Sequence, residues 1–390
     1  MKLIDEIVSF QGEMKQWRRD IHAHPEMAFE EHRTARVVAE KLRSFGLDVQ
    51  EGIAGTGVVG TLQKGRGNRA IGLRADLDAL PILESNEFPH KSTNPGVMHA
   101  CGHDGHTCML LGAAKYLAAH PRFEGIVHFI FQPAEENEGG GRAMIEDGLF
   151  EKFPVEAVYG MHNIPGLPVG KFAIRPGPMM AAFDIFNLTV IGKGVHAAMP
   201  HLGVDPIVIA TKIVEAYQNI VSRMVDPQDA AVVSVTQFHA GDAYNVIADK
   251  VEISGCTRCF SPKVQVLMEK KLQSIAEGIA SAYGATITFR YERRYPPTVN
   301  SELETGVAAK AATEIAGVKN VNLNPKPAMG SEDFAYMLQE KPGAYIWIGN
   351  GDGEGSCMVH NSNYDFNDEI LSIGASYWSR LVESELPELA

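Results

Sequence analysis

Apolar residues recur at helical spacing from Ile4 through Ile7, Val8, Met14, Trp17 and Ile21, which predicts an N-terminal helix. The same period predicts a second helix over 30–45, stopped by Gly46, because glycine readily takes the left-handed conformation that ends a helix. Further along, the period shortens to that of strands. β-Branched or aromatic runs stand at 58–62, 71–75, 126–132 and 157–161, separated by helical stretches such as 104–119. The alternation predicts an α/β domain, a central mixed sheet flanked by helices.

Near residue 183 the pattern changes. FDIFNLTVIGKG alternates as a half-exposed strand does, followed by a helix over 206–224, strands over 231–238 and 251–260, a helix over 262–283 and a strand running to Arg290. Pro296 and Pro297 form a stiff exit, since proline cannot continue a strand ladder. Residues 184–294 are therefore expected to be an inserted α+β domain, with 1–183 and 295–390 forming one discontinuous domain around it. A helix over 301–316 and the apolar run AYIWIG at 344–349 resume the first pattern.

Composition adds exclusions. A chain of 390 residues exceeds what one core usually organises, and 45% hydrophobic with 21% charged residues is ordinary for a globular protein. The net charge of −13, from 48 acidic and 35 basic residues, argues against a nucleic-acid partner. The N-terminus carries acids among its apolar residues, unlike a signal peptide, and no run is apolar enough to span a membrane. Five cysteines in a chain this long make no disulfide framework, so a cytoplasmic location is expected.

Chemistry concentrates at CGHDGH, where Cys101, His103, Asp104 and His106 fall within six positions just before or inside a predicted helix start. Thiolate, imidazole and carboxylate together suit a borderline-soft divalent metal. A helix start capped by Asp104 is the simpler alternative, although several adjacent histidines leave it incomplete. Cys101 as a nucleophile partnered by a histidine is a rival. Glu135 and Glu136 directly follow the strand IVHFIFQ, where neighbouring side chains diverge, so one carboxylate can bind a metal while the other acts on water; a solvated acidic loop is the alternative. His162 ends the next strand in an equivalent position. His360 lies beyond AYIWIG, and Asp76 and Asp78 end LRADLDALP, where acids can cap a segment or orient ligands through hydrogen bonds.

Taken in order, RADLDALP, MHACGHDGH, QPAEE, GMHN, GKGVHAAMPH, GSEDF and a late HN resemble the N-acyl-amino-acid amidohydrolases, the branch of the aminoacylase and carboxypeptidase G superfamily that includes hippurate and auxin-conjugate hydrolases. The resemblance spans residues 18–366. It implies a zinc-peptidase-like catalytic domain with an inserted lid or dimerisation domain. It also implies two divalent ions, manganese or zinc with nickel or cobalt as alternatives, held by Cys101, His103, Glu136, His162 and His360. Glu135 would be the general base that takes the proton of the attacking water, and Asp78 would orient a ligand. Where the wider superfamily has a histidine ligand, this chain has Asp76; Cys101 and His103 take over the missing ligand and the bridging carboxylate, as in the amidohydrolase branch.

In the insert, similarity to dimeric members suggests that His196 donates to the oxyanion across a homodimer. Asn245 and Arg258 align with residues that hold the substrate backbone and carboxylate, and a guanidinium binds two carboxylate oxygens at once. His196 as a turn residue and Arg258 as a surface strand residue are the plainer readings. Cys256 and Cys259 point to opposite faces of a strand and should not bind metal together. Cys108 should face the core and Cys357 should be a loop neighbour. Met179, Met180 and Phe183 could line an acyl pocket, but such clusters are more often core. The expected substrate is a small N-acyl amino acid; a dipeptidase, an N-acetyl-diaminopimelate deacetylase, a metal-free thiol hydrolase and a non-catalytic metal-stabilised binder are the alternatives.

Overall fold

The runs at 71–75, 126–132, 157–161 and 344–349 are the centre of an eight-stranded sheet. Its order is Asp48–Ile53, Gly57–Lys64, Gly125–Gln132, Ala70–Asp76, Ala157–Pro165, Gly343–Gly351, Phe172–Ala173 and Val321–Asn322. The four central strands are parallel, and antiparallel partners join on both sides. Every residue of Ala70–Asp76 and Gly343–Gly351 is buried, as expected when helices cover both faces of parallel strands. The computed structural model describes residues 1–352 and 357–388. Among them no helix is long and apolar enough to cross a membrane.

The sheet belongs to one of two units, comprising Met1–Met179, Val299–Lys326 and Asp333–Ala390. Its helix His103–Ala119 is buried on nearly every side and packs against Leu371–Glu385 and Gln11–Ala23, so its first turn is held rigidly at the strand ends. The single N-terminal helix expected from spacing is two helices, Asp5–Ser9 and Gln11–Ala23, because Phe10 leaves helical geometry at ψ 19°. The second helix, His32–Ser44, starts two residues later than expected. Phe29 ahead of it adopts φ +61°, and the Glu31 side chain is turned to other partners.

The second unit comprises Met180–Thr298 and Pro327–Glu332. Its strands Ala231–Ala240, Lys250–Cys259, Ala182–Ile191 and Thr286–Tyr295 form an antiparallel sheet in that order. Alternate positions of Ala182–Ile191 are buried, and Phe186, Leu188 and Val190 pack with Ile209, Ile213, Met268 and Leu272 from helices Pro206–Asn219 and Pro262–Ala282. Asp205 caps the first of these, its carboxylate accepting from the Ile207 and Val208 amides at 2.9 and 3.4 Å, with Pro206 pre-set for the first turn. The helix expected to reach 224 ends at Asn219 and continues as a π turn over Ile220–Met224.

Candidate metal centre

Three parallel central strands deliver acidic and imidazole groups towards their C-terminal ends. Asp76 lies opposite Gln132 in the register, so the segments that follow, Leu77–Asp78 and Pro133–Glu136, leave the sheet side by side, with His162 on the adjoining strand. Cys101 and His103 flank Gly102, which holds φ +96°. A Cβ at Gly102 would lie 2.2 Å from Asn163 Oδ1, so only glycine lets this turn press against the strand end.

There the donors converge. Cys101 Sγ is 3.3 Å from His162 Nε2, and one donor atom each from Cys101, His103 and His162 lie within 4.8 Å of one another. One donor atom each from Cys101, Glu136 and His360 also lie within 4.8 Å of one another, so the thiol is common to both trios. His360 Nε2 is 3.1 Å from Glu136 Oε1. His360 holds φ +63°, fixed by its amide donating to Ala100 O at 2.7 Å. Glu135 and Glu136 share a third trio with His103, and Glu135 Oε1 accepts from the Asp333 amide at 3.4 Å.

Hydrogen bonds fix which ring nitrogen faces the cluster. His103 Nδ1 donates to Asp78 O at 2.9 Å and lies 3.2 Å from Asp78 Oδ1, which turns Nε2 inward; His162 Nδ1 donates to Asn163 O at 2.6 Å, which does the same. Asp78 Oδ2 also accepts the Glu136 amide at 2.9 Å, so one carboxylate orients two members of the cluster.

The electrostatics favour a cation. Burial alone would lower the His103 imidazole, but Asp76, Asp78 and Glu136 around it hold it at about 10. Burial pushes the Cys101 thiol well above its ordinary range, with Glu136, Glu135 and Asp76 adding to it. A nucleophilic cysteine needs the opposite surroundings, so the site does not favour thiol catalysis. Burial, helped by neighbouring His106, drives His162 well down. Among the described residues His103 Nε2 is buried without a hydrogen-bond partner, an arrangement that calls for an explanation such as an ion. One sulfur, three imidazole nitrogens and a carboxylate fit a divalent transition metal.

Sequence reasoning named Asp76, Asp104 and His106 in the layer beneath but not the partners that hold them. Asp76, despite its burial, is held well below the usual carboxylate range by His103, His106 and Arg74, and bonds Arg74 Nη1 at 2.7 Å and His106 Nδ1 at 2.6 Å. His106 Nε2 meets Asn163 Oδ1 at 2.7 Å, and Asn163 Nδ2 donates to Tyr364 Oη at 2.6 Å. Asp104 does not cap the helix by its side chain. The cap residue is Gly102, and the Asp104 carboxylate instead pairs with His22 Nδ1 at 2.8 Å and Arg18. The signal for Asn163 stood in GMHN; that for His22 and Arg18, some eighty residues from Asp104, was not local.

The remaining candidates lie in the second unit. His196 and Val246 are cross-strand partners, and the Ala197 amide donates to Asn245 O at 2.9 Å, so His196 and Asn245 share an exposed two-stranded ribbon. Arg258 stacks over Phe183, 4.6 Å from its ring centroid, and its Nη1 donates to Met329 O and Ser331 Oγ at 2.8 and 2.9 Å. Its Nε and Nη2 have no hydrogen-bond partner among the described residues. Arg258, Phe183, Asn187, Thr236 and Cys256 border a recess of about 420 Å³. Met179 is fully buried core. Cys108 and Cys259 are buried, Cys256 and Cys357 half-buried, and all are free thiols.

Fold and cluster together define a metal-dependent amidohydrolase. The chain belongs to Peptidase family M20/M25/M40, which matches residues 72–384. It is 46% identical over 381 residues to a hippurate hydrolase of Campylobacter jejuni, covering 98% of each chain. It is 39% identical to IAA-amino acid hydrolase ILR1-like 4 of Arabidopsis thaliana, covering 95% of this chain and 85% of that one. A crystal structure of a Bacillus subtilis protein, described as a dinuclear metal-binding peptidase of the M20 family, superposes with a TM-score of 0.85 at 33% identity, over 97% of this chain and 99% of that one.

Proposed function

We propose that this amidohydrolase cleaves N-acyl amino acids, with Cys101, His103, Glu136, His162 and His360 holding two divalent ions, manganese or zinc with nickel or cobalt as alternatives. The observation that carries this reading is the pair of donor trios sharing Cys101, with Glu135 beside them. Ions held there supply Lewis acidity, which lowers the pKa of water from 15.7 to roughly 7 and is worth on the order of 12 kcal/mol at about 1.36 kcal/mol per unit.

The chain's own residues do the rest. Glu135 takes the proton of the attacking water and passes it to the leaving nitrogen, a role typically worth about 10² to 10⁴ in rate. Asp78 keeps His103 and Glu136 in place through the bonds described above. Arg258 binds the substrate carboxylate through its unused donors, Asn245 holds the substrate backbone, and His196 of a partner subunit donates to the oxyanion. Exposed Leu202, Val208 and Phe238 on the second unit support a homodimer built through that unit. The proposed location is the cytoplasm.

The two curated relatives are named for an acylated glycine and for indoleacetyl amino acids, both of which join an aromatic acyl group to an amino acid that keeps its carboxylate. That shared chemistry favours aryl-acyl amino acids over dipeptides or N-acetyl-diaminopimelate, and competition at equal concentration separates them. The test of mechanism is Glu135→Gln, which should retain metal while losing turnover by about 10² to 10⁴. Near-normal kcat with metal bound would remove Glu135 from the base role.

A further inference from the structure

The segment carrying Glu135 and Glu136 has an unusual backbone. Ala134 holds φ +53° and Asn137 φ +66°, both left-handed without being glycine. The Gly140 amide closes the segment by donating to Ala134 O at 2.9 Å, and a Cβ at Gly140 would fall 1.8 Å from Pro133 O. Alanine resists the left-handed conformation because its Cβ approaches the next carbonyl, so something outside the loop must hold it. At the far end the Gly141 amide donates to Asp333 Oδ2 at 2.8 Å. At the near end the partner is Glu31.

Glu31 is fully buried. Its Oε1 accepts the Ala134 amide at 2.8 Å and the Phe29 amide at 3.1 Å, and its Oε2 accepts the Thr56 hydroxyl at 2.5 Å. Phe29 is itself left-handed at φ +61°, so a single carboxylate fixes two strained backbone positions and ties both to the turn before strand Gly57–Lys64. Burying a carboxylate in this way is costly, and burial does push Glu31 up to about 7. A glutamine amide could meet the same three groups only by turning the Thr56 hydroxyl from donor to acceptor, and its neutral oxygen would bind the Ala134 and Phe29 amides more weakly than a carboxylate does.

We propose that Glu31 is a positioning residue for the reaction: it holds Ala134 left-handed and thereby aims Glu135 at its proton and Glu136 at its ion. The proposal rests on the roles given above to Glu135 and Glu136. Glu31→Gln keeps the shape but removes the charge, so the bonds from the Ala134 and Phe29 amides become neutral and weaker while the Thr56 hydroxyl must turn to accept. Partners that orient metal-site residues typically contribute about 10- to 100-fold in activity or metal affinity, so E31Q should lower kcat by that factor and weaken metal retention against a competing chelator, with little change in KM.

A merely structural role predicts no rescue by Ala134→Gly, whereas glycine takes the left-handed conformation freely. A134G in the E31Q background should therefore raise kcat by about fivefold. Thr56→Val, which withdraws one donor without touching the loop, should lower kcat less than E31Q and provides the reading if E31Q does not fold. Wild-type kcat in E31Q, a loss that A134G leaves in place, or wild-type kcat in T56V alongside an unfolded E31Q overturns the proposal. Undiminished kcat in the metal-loaded E135Q variant overturns the underlying reading instead, whatever E31Q does.

Discussion

Replacing Cys101 by alanine should weaken both metal sites at once. Cys101 is the one residue common to the trio with His103 and His162 and the trio with Glu136 and His360, each with its donor atoms within 4.8 Å. Four-ligand structural zinc sites bind with roughly 10 to 16 kcal/mol, or about 2.5 to 4 kcal/mol per donor, which at about 1.4 kcal/mol per decade is a 10²- to 10³-fold loss for each donor removed. Cys101→Ala should therefore shift both dissociation constants by about that factor, whereas His162→Ala and His360→Ala should each shift mainly one. Competition against a coloured chelator with Mn²⁺ or Zn²⁺, fitted to two sites, reads this directly. A C101A protein that keeps one site at wild-type affinity would refute the shared position of the thiol.

Other expectations concern the substrate and the buried charges. Arg258→Ala should raise KM for N-acyl amino acids far more than for the corresponding amides, because only the former present a carboxylate; equal effects in steady-state kinetics reject that role. His22 has its imidazole raised to about 9, since its bonds to Asp104 and Glu84 outweigh the burial that would lower it. A folded-state value above the unfolded 6.5 means that its stabilisation is complete below pH 6.5 and is lost as pH rises through 9. Thermal melts should show a decline on the order of 3 kcal/mol over that window, absent in His22→Gln; an unchanged slope in the variant rejects the assignment.

The parts of the site that were legible in sequence are those whose chemistry is local. CGHDGH and QPAEE place several donors within a few positions, and strand ends are where α/β sheets gather ligands, so Cys101, His103, Glu135, Glu136 and His162 could be singled out before their convergence was seen. The supports were not legible. Glu31, Thr56 and Ala134 come from three separate segments, and nothing near Glu31 distinguishes a clasp from a surface acid. The inward turn of Asp104 toward Arg18 and His22 is likewise set by tertiary packing. For the fold, buried parallel strands gave a strong signal. The edge strand Asp48–Ile53 gave none, because four of its six residues are exposed and no apolar alternation results. Helix Leu371–Glu385 was also unpredicted: it buries Ser372, Gly374, Ser376 and Ser379, and small or polar residues on its packed face blur the apolar period.

The most direct test of the central claim is hydrolysis of hippurate, an indoleacetyl amino acid, N-acetyl-methionine, N-acetyl-diaminopimelate and a dipeptide, each before and after exhaustive EDTA treatment and after return of Mn²⁺ or Zn²⁺. Cleavage of the aryl-acyl amino acids that vanishes with the metal and returns with it is the predicted result. Activity that survives complete metal removal would contradict the account.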